Sequence, residues 1–404
     1  MGNKVAKAGS LGPKTRSDCE VQIELTQTGG IEIELKSKVD VMFGKANREL
    51  IRDIFKTFEI ENAKITMTDK GALPFVITAR IEAAINNLID SDKEYLLPII
   101  NANKKASKKG QFRFSRLYLP GNSPSMMLNA GVHYPNGVIL DLEDAVAPNK
   151  KQEARYIVRN ALRAVNFYGA ERMVRINQGD LGIEDLHYVV EHNVNLLLIP
   201  KCETAEEIHR IDAEIEKIRK EKGFDYPIWY MPIIESALGV ENAYKIVTAS
   251  PNVSSLAIGL EDFTADLGVR RTNGGTESLY ARTRMVNACK AASIQPIDSV
   301  FSDVSDMKAL AENVKISKSL GFEGMGCIHP RQIPIIMQNF APEQIEIEKA
   351  QKIIRAFEDA KAKGLGVVSL GTKMIDAPVV KRAETTVNLA IKLGLLAKDY
   401  LIRD

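Results

Sequence analysis

Eight short apolar runs, each followed by a helix-length segment, occupy residues 116–328. They are Arg116–Leu119, Gly137–Leu142, Arg172–Ile176, Asn195–Pro200, Ile228–Ile234, Ser255–Leu260, Gln295–Phe301 and Gly324–Ile328. Strands that are apolar along their whole length must be covered on both faces, which helices packed around a parallel sheet achieve. Eight such units in this length of chain predict an α/β fold, a (β/α)8 TIM barrel. A doubly wound open sheet is the alternative. It fits less well, because no G-x-G-x-x-G follows the first strand and Gly364-Leu365-Gly366 stands near the C-terminus at the wrong spacing.

The 404 residues exceed what one barrel needs, so a second domain is expected. Val21, Ile23 and Leu25, then Ile31, Ile33 and Leu35, alternate on either side of Thr28-Gly29-Gly30. That pattern predicts a β-hairpin. Leu50, Ile51, Ile54, Phe55 and Phe58 recur at helical spacing. Ala63–Met67 reads as a third strand, and Val76–Leu88 as a second helix whose Arg80 and Glu82 face water. The predicted organisation is a small α+β domain over 1–102, a basic linker over 103–115 and the barrel with a C-terminal lid over 116–404. The linker holds Lys104, Lys105, Lys108, Lys109 and Arg113 with no acid. It reads as a mobile, solvated joint on which the small domain swings, or as a patch for a phosphorylated cofactor.

Charge and cysteines narrow the function classes. With 54 basic against 52 acidic residues, no basic surplus supports nucleic-acid binding. No run is long enough for a membrane span and no secretory segment opens the chain, so a cytoplasmic protein without a membrane partner is expected. Cys19, Cys202, Cys289 and Cys327 are far apart in sequence and read as four reduced thiols.

Polar residues cluster where the predicted strands end, the place where barrel enzymes keep their chemistry. Strand two ends in Asp141-Leu-Glu143-Asp144, strand three in Arg175-Ile-Asn177, and strand four in Pro200-Lys201. Strand five ends in Glu235-Ser236, strand six in Glu261-Asp262, and strand eight in His329-Pro330-Arg331. One carboxylate after a strand is usually a helix cap; several converging ones suggest a site. Glu235 and Asp262 come from consecutive strands, and two close anions need a cation or a shared proton. Oxygen ligands without His or Cys select a hard ion, Mg2+ or Mn2+. Arg175 offers a two-point grip for a substrate carboxylate, or else a structural pair with Asp141 or Asp144. A divalent ion beside such an arginine suits a 2-oxo or 2-hydroxy acid.

The segments Arg116-Leu-Tyr-Leu-Pro-Gly121, Asp141-Leu-Glu-Asp-Ala-Val146, Val174-Arg-Ile-Asn177, Ile234-Glu-Ser-Ala-Leu-Gly239, Gly259-Leu-Glu-Asp-Phe263 and His329-Pro-Arg-Gln332 resemble successive motifs of the citrate lyase beta subunit and its acyl-CoA lyase relatives, the HpcH/HpaI aldolase family. Gly364–Val368 and Lys373-Met-Ile-Asp-Ala-Pro-Val379 resemble that family's C-terminal segment. The resemblance implies a lyase that cleaves a citryl-type, 3-hydroxy-3-carboxyacyl thioester to oxaloacetate or a related 2-oxo acid and an acyl thioester. The alternatives are a malyl- or citramalyl-CoA thioesterase and a non-catalytic, carrier-docking subunit. It also implies Glu235 and Asp262 as Mg2+ ligands, Arg175 as carboxylate clamp, and Arg116 and Glu235 in substrate binding. Asp376 would be an acid–base residue on a lid lent to a neighbouring subunit, in a trimer or hexamer. Asp141, Glu143 and Asp144 would orient ligands or place a base.

Residues 18–90, with Phe43-Gly44 and Asp69-Lys-Gly-Ala-Leu73, resemble the citrate lyase gamma subunit, an acyl carrier protein. That resemblance implies a phosphopantetheine-type prosthetic group, carrier-bound thioesters, and a citrate lyase alpha-type transferase subunit as a partner. The carrier motif sets its modified Ser two residues before an Asp. Counted back from Asp18, that place holds Arg16. Either attachment has moved to Ser17, or the arm has been lost.

Overall fold

The computed structural model describes residues 4–362, 368–370, 373–398 and 400. They fall into two compact units, 1–333 and 334–404. The Gly364–Val367 part of the segment singled out above lies outside the described residues.

The first unit opens with β1 (Val5–Ala8), β2 (Cys19–Leu25), β3 (Ile31–Ser37), α1 (Asp40–Thr57), β4 (Ala63–Asp69) and α2 (Pro74–Asn86). Their sheet has the order β1-β2-β4-β3. The predicted hairpin is therefore absent: β4 lies between β2 and β3, antiparallel to the former and parallel to the latter. The reason is connectivity. β3, α1 and β4 form a βαβ unit, whose helical crossover makes its strands parallel. Five residues between β2 and β3 are long enough to step over one strand.

Arg80 and Glu82 do not face water either. Both are buried, because α2 is apolar nearly all round and is covered on two sides. One side meets the sheet. The other meets α4 (Lys151–Ala164) of the barrel, where Glu82 pairs with Arg159 and Arg80 with Asp18 and Glu153. Asn160 also donates to Phe75 O and Thr78 Oγ1 across this seam.

The linker is a strap rather than a mobile joint. Asn103 donates to Leu162 O and Val165 O, and the Lys105 carbonyl accepts from Arg172 and Asn195. Arg113 is buried against Glu171 at 2.7 Å, so it offers nothing to a phosphorylated cofactor.

Eight parallel strands follow: β5 (Ser115–Pro120), β6 (Gly137–Asp141), β7 (Glu171–Arg175), β8 (Leu196–Ile199), β9 (Trp229–Ile234), β10 (Ser255–Ile258), β11 (Gln295–Ile297) and β12 (Met325–Cys327). They pair in chain order with β12 against β5, and an Asp298–Met325 bridge completes the circle. All eight predicted strands are present. Ile139, Met173, Leu196, Leu198, Met231, Ile233, Ala257 and Ile297 fill the interior. Around it run α3 (Pro124–Ala130), α4, α5 (Gly179–Val189), α6 (Ala205–Lys222), α7 (Ala237–Val247), α8 (Leu260–Asp266), α9 (Leu279–Ala291) and α10 (Met307–Leu320). All four cysteines are buried free thiols.

Helix α11 (Gln332–Phe340) spans the boundary between the units. In the second unit, α12 (Gln344–Ala362) packs on α13 (Ala377–Lys392) through Ala350, Ile354, Ala383 and Val387. Between these helices, β13 (Val368–Leu370) pairs with β14 (Lys373–Ile375). Among the described residues, no helix is long and apolar enough to cross a membrane.

Candidate active site

The strand ends enclose a cavity of about 390 Å3 lined by Arg116, Tyr118, Arg175, Glu235, Gly259 and Asp262, among others. Glu235 follows β9 and is 7% exposed. Its Oε2 accepts the Lys201 backbone N–H at 2.8 Å. Burial pushes its carboxyl up to about 7, against that hydrogen bond and with help from the anions Asp262 and Glu143. Asp262, in the first turn of α8, has a side chain 45% exposed. Lys201 stands between acids: its Nζ is 3.7 Å from Glu143 and 3.8 Å from Asp262. Its backbone takes a left-handed φ of 47°, rare for a residue with a side chain.

Gly259 shows why this corner must stay open. A Cβ there would sit 2.4 Å from Glu235 Oε1 and 2.7 Å from its Cγ. The missing side chain leaves a cradle for the carboxylate, and the donor set is oxygen only. Those features fit a hard divalent cation held by Glu235 and Asp262.

Arg175 is already engaged. Its Nε and Nη2 reach Asp141 at 2.7 and 2.6 Å, and its Nη1 is 2.8 Å from Glu143. Burial opposes the charge of Arg175, but Asp141, Tyr118 and Glu143 raise its pKa overall. The pair with Asp141, one of the readings of Arg175 from sequence, is present. Glu143 is itself pushed up by burial despite Arg175. Asp144 stands 3.8 Å from Arg175.

Arg116 is the opposite case. It is 1% exposed, and among the described residues no carboxylate lies within ion-pair distance. Its Nη1 meets only Met231 Sδ, its Nε has no partner, and burial drops its pKa to about 10. A buried, uncompensated guanidinium lining a cavity invites an anion.

Three contributors had no role assigned from sequence. Tyr118 lies under Arg175, 5.4 Å from ring centre to guanidinium carbon. Lys151 donates to the Leu142 and Glu143 carbonyls at 2.9 Å, fixing the acidic loop. Gly259 could have been singled out as the residue between an apolar run and Glu261-Asp262. Glu261 also lines the cavity and pairs with Arg271, while His329 Nδ1 accepts the Arg331 N–H.

The remaining candidates lie outside this cavity's strand ends. Ser17, half-buried with φ 54°, lies in the bend just before β2, where its N–H donates to Lys70 O. Asp376 belongs to the second unit, where it caps α13 by accepting the Val379 N–H at 3.1 Å.

A family model described as HpcH/HpaI aldolase/citrate lyase matches residues 115–330, more than half of the chain. The chain belongs to this family. A second model, an acyl-carrier one described as malonate decarboxylase delta subunit (MdcD), matches residues 3–88. Similar HpcH/HpaI members include citrate lyase subunit beta of Leuconostoc mesenteroides subsp. cremoris. It is 38% identical over 283 residues, which are 69% of this chain and 94% of that protein. L-malyl-CoA/beta-methylmalyl-CoA lyase of Cereibacter sphaeroides is 30% identical over 297 residues, covering 68% and 93%. Among solved structures, protein CitE from Mycobacterium tuberculosis in complex with magnesium, acetoacetate and coenzyme A is 25% identical with a TM-score of 0.59, covering 70% of this chain and 99% of that one.

Proposed function

We propose that this chain is a Mg2+-dependent carbon–carbon lyase. Its substrate would be a 3-hydroxy-3-carboxyacyl thioester, citryl-type in the leading case, and its products a 2-oxo acid and an acyl thioester. The observation that carries the reading is a buried carboxylate, Glu235, facing a cavity that also holds an unpaired buried arginine, Arg116. One group suits a cation and the other an anion, as a substrate with adjacent hydroxyl and carboxylate requires. The printed names of the citrate lyase and malyl-CoA lyase relatives, and the magnesium and coenzyme A bound by the similar structure, support the same reaction class.

Glu235 and Asp262 would hold the ion. When bound, it supplies Lewis-acid polarisation of the substrate's hydroxyl and carboxylate oxygens. Arg116 binds the substrate carboxylate, and Arg175 adds positive charge to the same wall while holding Asp141 and Glu143 in place. Loss of the hydroxyl proton to water lets the adjacent C–C bond break, the alkoxide oxygen becoming the carbonyl of the 2-oxo acid and the bond's electron pair passing to the carbon beside the thioester. Asp376 then protonates that carbon. Residue Asp376 would come from the C-terminal unit of a neighbouring copy in a homo-oligomer, a trimer or hexamer.

The test is product identity. Citryl-, citramalyl- and malyl-CoA are supplied with Mg2+: a 2-oxo acid with acyl-CoA means a lyase, and free CoA means a thioesterase. No turnover of any of the three sinks the catalytic reading.

A further inference from the structure

The carrier-like domain sits beside the barrel mouth. Its first loop, residues 9–18, is anchored at both ends to the start of α4. Gly9 N–H donates to Glu153 Oε2 at 2.8 Å, and Lys150 Nζ reaches Gly9 O at 3.4 Å. At the other end Asp18 takes a two-point bond from Arg80, which also holds Glu153 at 2.8 Å. Gly9 lies close against β2: its φ is 87°, and a Cβ would lie 2.2 Å from Cys19 O. The turn Pro148–Lys150 that receives this loop belongs to the connection after β6, the same connection that carries Glu143. Helices of a barrel begin at the catalytic end, so the loop is at the rim.

Reach can be bounded. From Glu143 O the path runs through Lys151 Nζ at 2.9 Å, along the backbone to Lys150, and out to Gly9 O. By ordinary bond lengths the extended path is roughly 23 Å, an upper limit on the separation of Glu143 O and Gly9 O. An extended pantetheine arm from sulfur to its phosphate spans about 16 Å, a length that falls within that limit.

The loop's chemistry is one-sided. Residues 4–16 carry Lys4, Lys7, Lys14 and Arg16 and no acid, in a chain of net charge only +2. Lys14 and Arg16 are exposed and, among the described residues, have no ion-pair partner.

We infer that the N-terminal domain is a fixed wall of the active-site mouth, and that Lys14 and Arg16 bind the phosphates of a CoA-type thioester arriving from solution. On this view the domain receives a nucleotide-bearing arm instead of carrying one. Arg16 stands where a carrier needs a hydroxyl, and it supplies the opposite half of the interaction, a cation for a phosphate.

The inference rests on the lyase reading, so its test separates the two. The double variant Lys14→Glu/Arg16→Glu is compared with the unaltered chain on a CoA thioester and on the same acyl group as a phosphate-free pantetheine thioester. Turnover of the phosphate-free compound establishes the lyase reading independently. The expected result is a KM for the CoA thioester raised by roughly tenfold or more, the scale of losing one charged hydrogen bond. Turnover number, and KM for the phosphate-free thioester, should not move. Raising the salt concentration should weaken CoA-thioester binding in the unaltered chain and much less in the variant. Equal shifts for both substrates, or none, overturn the inference. So does an intact mass showing a phosphodiester-linked arm on Ser17.

Discussion

Arg159 and Glu82 join the barrel to the N-terminal domain through two hydrogen bonds, of 2.8 and 2.5 Å, with both side chains wholly shielded from water. Removing one partner strands the other charge, though Glu94 gives Arg159 a second contact at 2.8 Å. Glu82→Ala should therefore destabilise this seam by about 3 kcal/mol. Trp229, the single tryptophan, reports on β9 of the barrel. Its fluorescence and far-UV circular dichroism should give coincident urea transitions for the unaltered chain. They should separate in the variant as the N-terminal domain melts first. Coincident, unshifted curves in the variant would contradict a stabilising seam.

Gly259→Ala should cost metal affinity without unfolding the barrel, because the added methyl would occupy the space of Glu235 Oε1. A loss of about tenfold to a hundredfold is expected, the range seen when ligand support is disturbed. Titration calorimetry with Mg2+ measures it, and circular dichroism checks the fold. Asp262→Asn should weaken the same binding by removing charge from the pair.

Mg2+ binding should follow pH with a definite sign. Burial holds the Glu235 carboxyl at about 7, and only the ionised form is a ligand. Below that pH a proton must leave as the ion binds, so affinity should fall by about tenfold per pH unit. Well above it, affinity should level off. A dissociation constant that stays flat from about pH 5.5 to 8.5 would argue that Glu235 is no ligand.

Arg116→Met should move stability and activity in opposite directions. It removes a buried charge that has no counter-ion, which should stabilise the fold by about 1–3 kcal/mol. It also removes the anion site, so KM for the thioester should rise by about a hundredfold. Thermal unfolding and steady-state kinetics read the two effects. A drop in stability would mean that Arg116 has a structural partner.

Complementation tests the assignment of Asp376. Asp376→Ala and Glu235→Ala chains should each be inactive, and mixing them should recover part of the activity if a neighbour lends the C-terminal unit. Full activity in a monomer defeats that assignment.

The barrel was legible because each strand announces itself as an apolar run, and convergence of strand ends is a property of the fold rather than of any residue. That brought Glu235, Asp262 and Arg175 together from the sequence; Arg116, at the start of its strand, entered only through the family resemblance and proves to line the same cavity. The pairing of Arg175 was not legible. The sequence offered Asp141 or Asp144 as partner, whereas the guanidinium engages Asp141 and Glu143 together through different nitrogens. The N-terminal sheet misled for a different reason: alternation identifies strands but not neighbours, and β4 entered between two runs that looked like a hairpin. Arg80 and Glu82 were placed in water because charge was read as exposure. Their partners, Asp18, Glu153 and Arg159, lie in distant parts of the chain, so no local pattern could reveal them.

Lys201 gives the acidic corner a tethered cation of its own. Burial would lower its pKa, yet Asp144, Glu143, Asp262 and Glu235 together hold the ammonium above its ordinary value. A divalent ion bound there, as proposed, would be a replacement rather than an addition, its affinity set against a competitor the chain always carries. The same residue also holds Glu235 through its backbone N–H, so the competitor and the carboxylate's anchor belong to one residue. A divalent ion held by Glu235 and Asp262, as proposed, would thus exchange one positive charge at the mouth for two, and the acidic corner is never without a cation beside it.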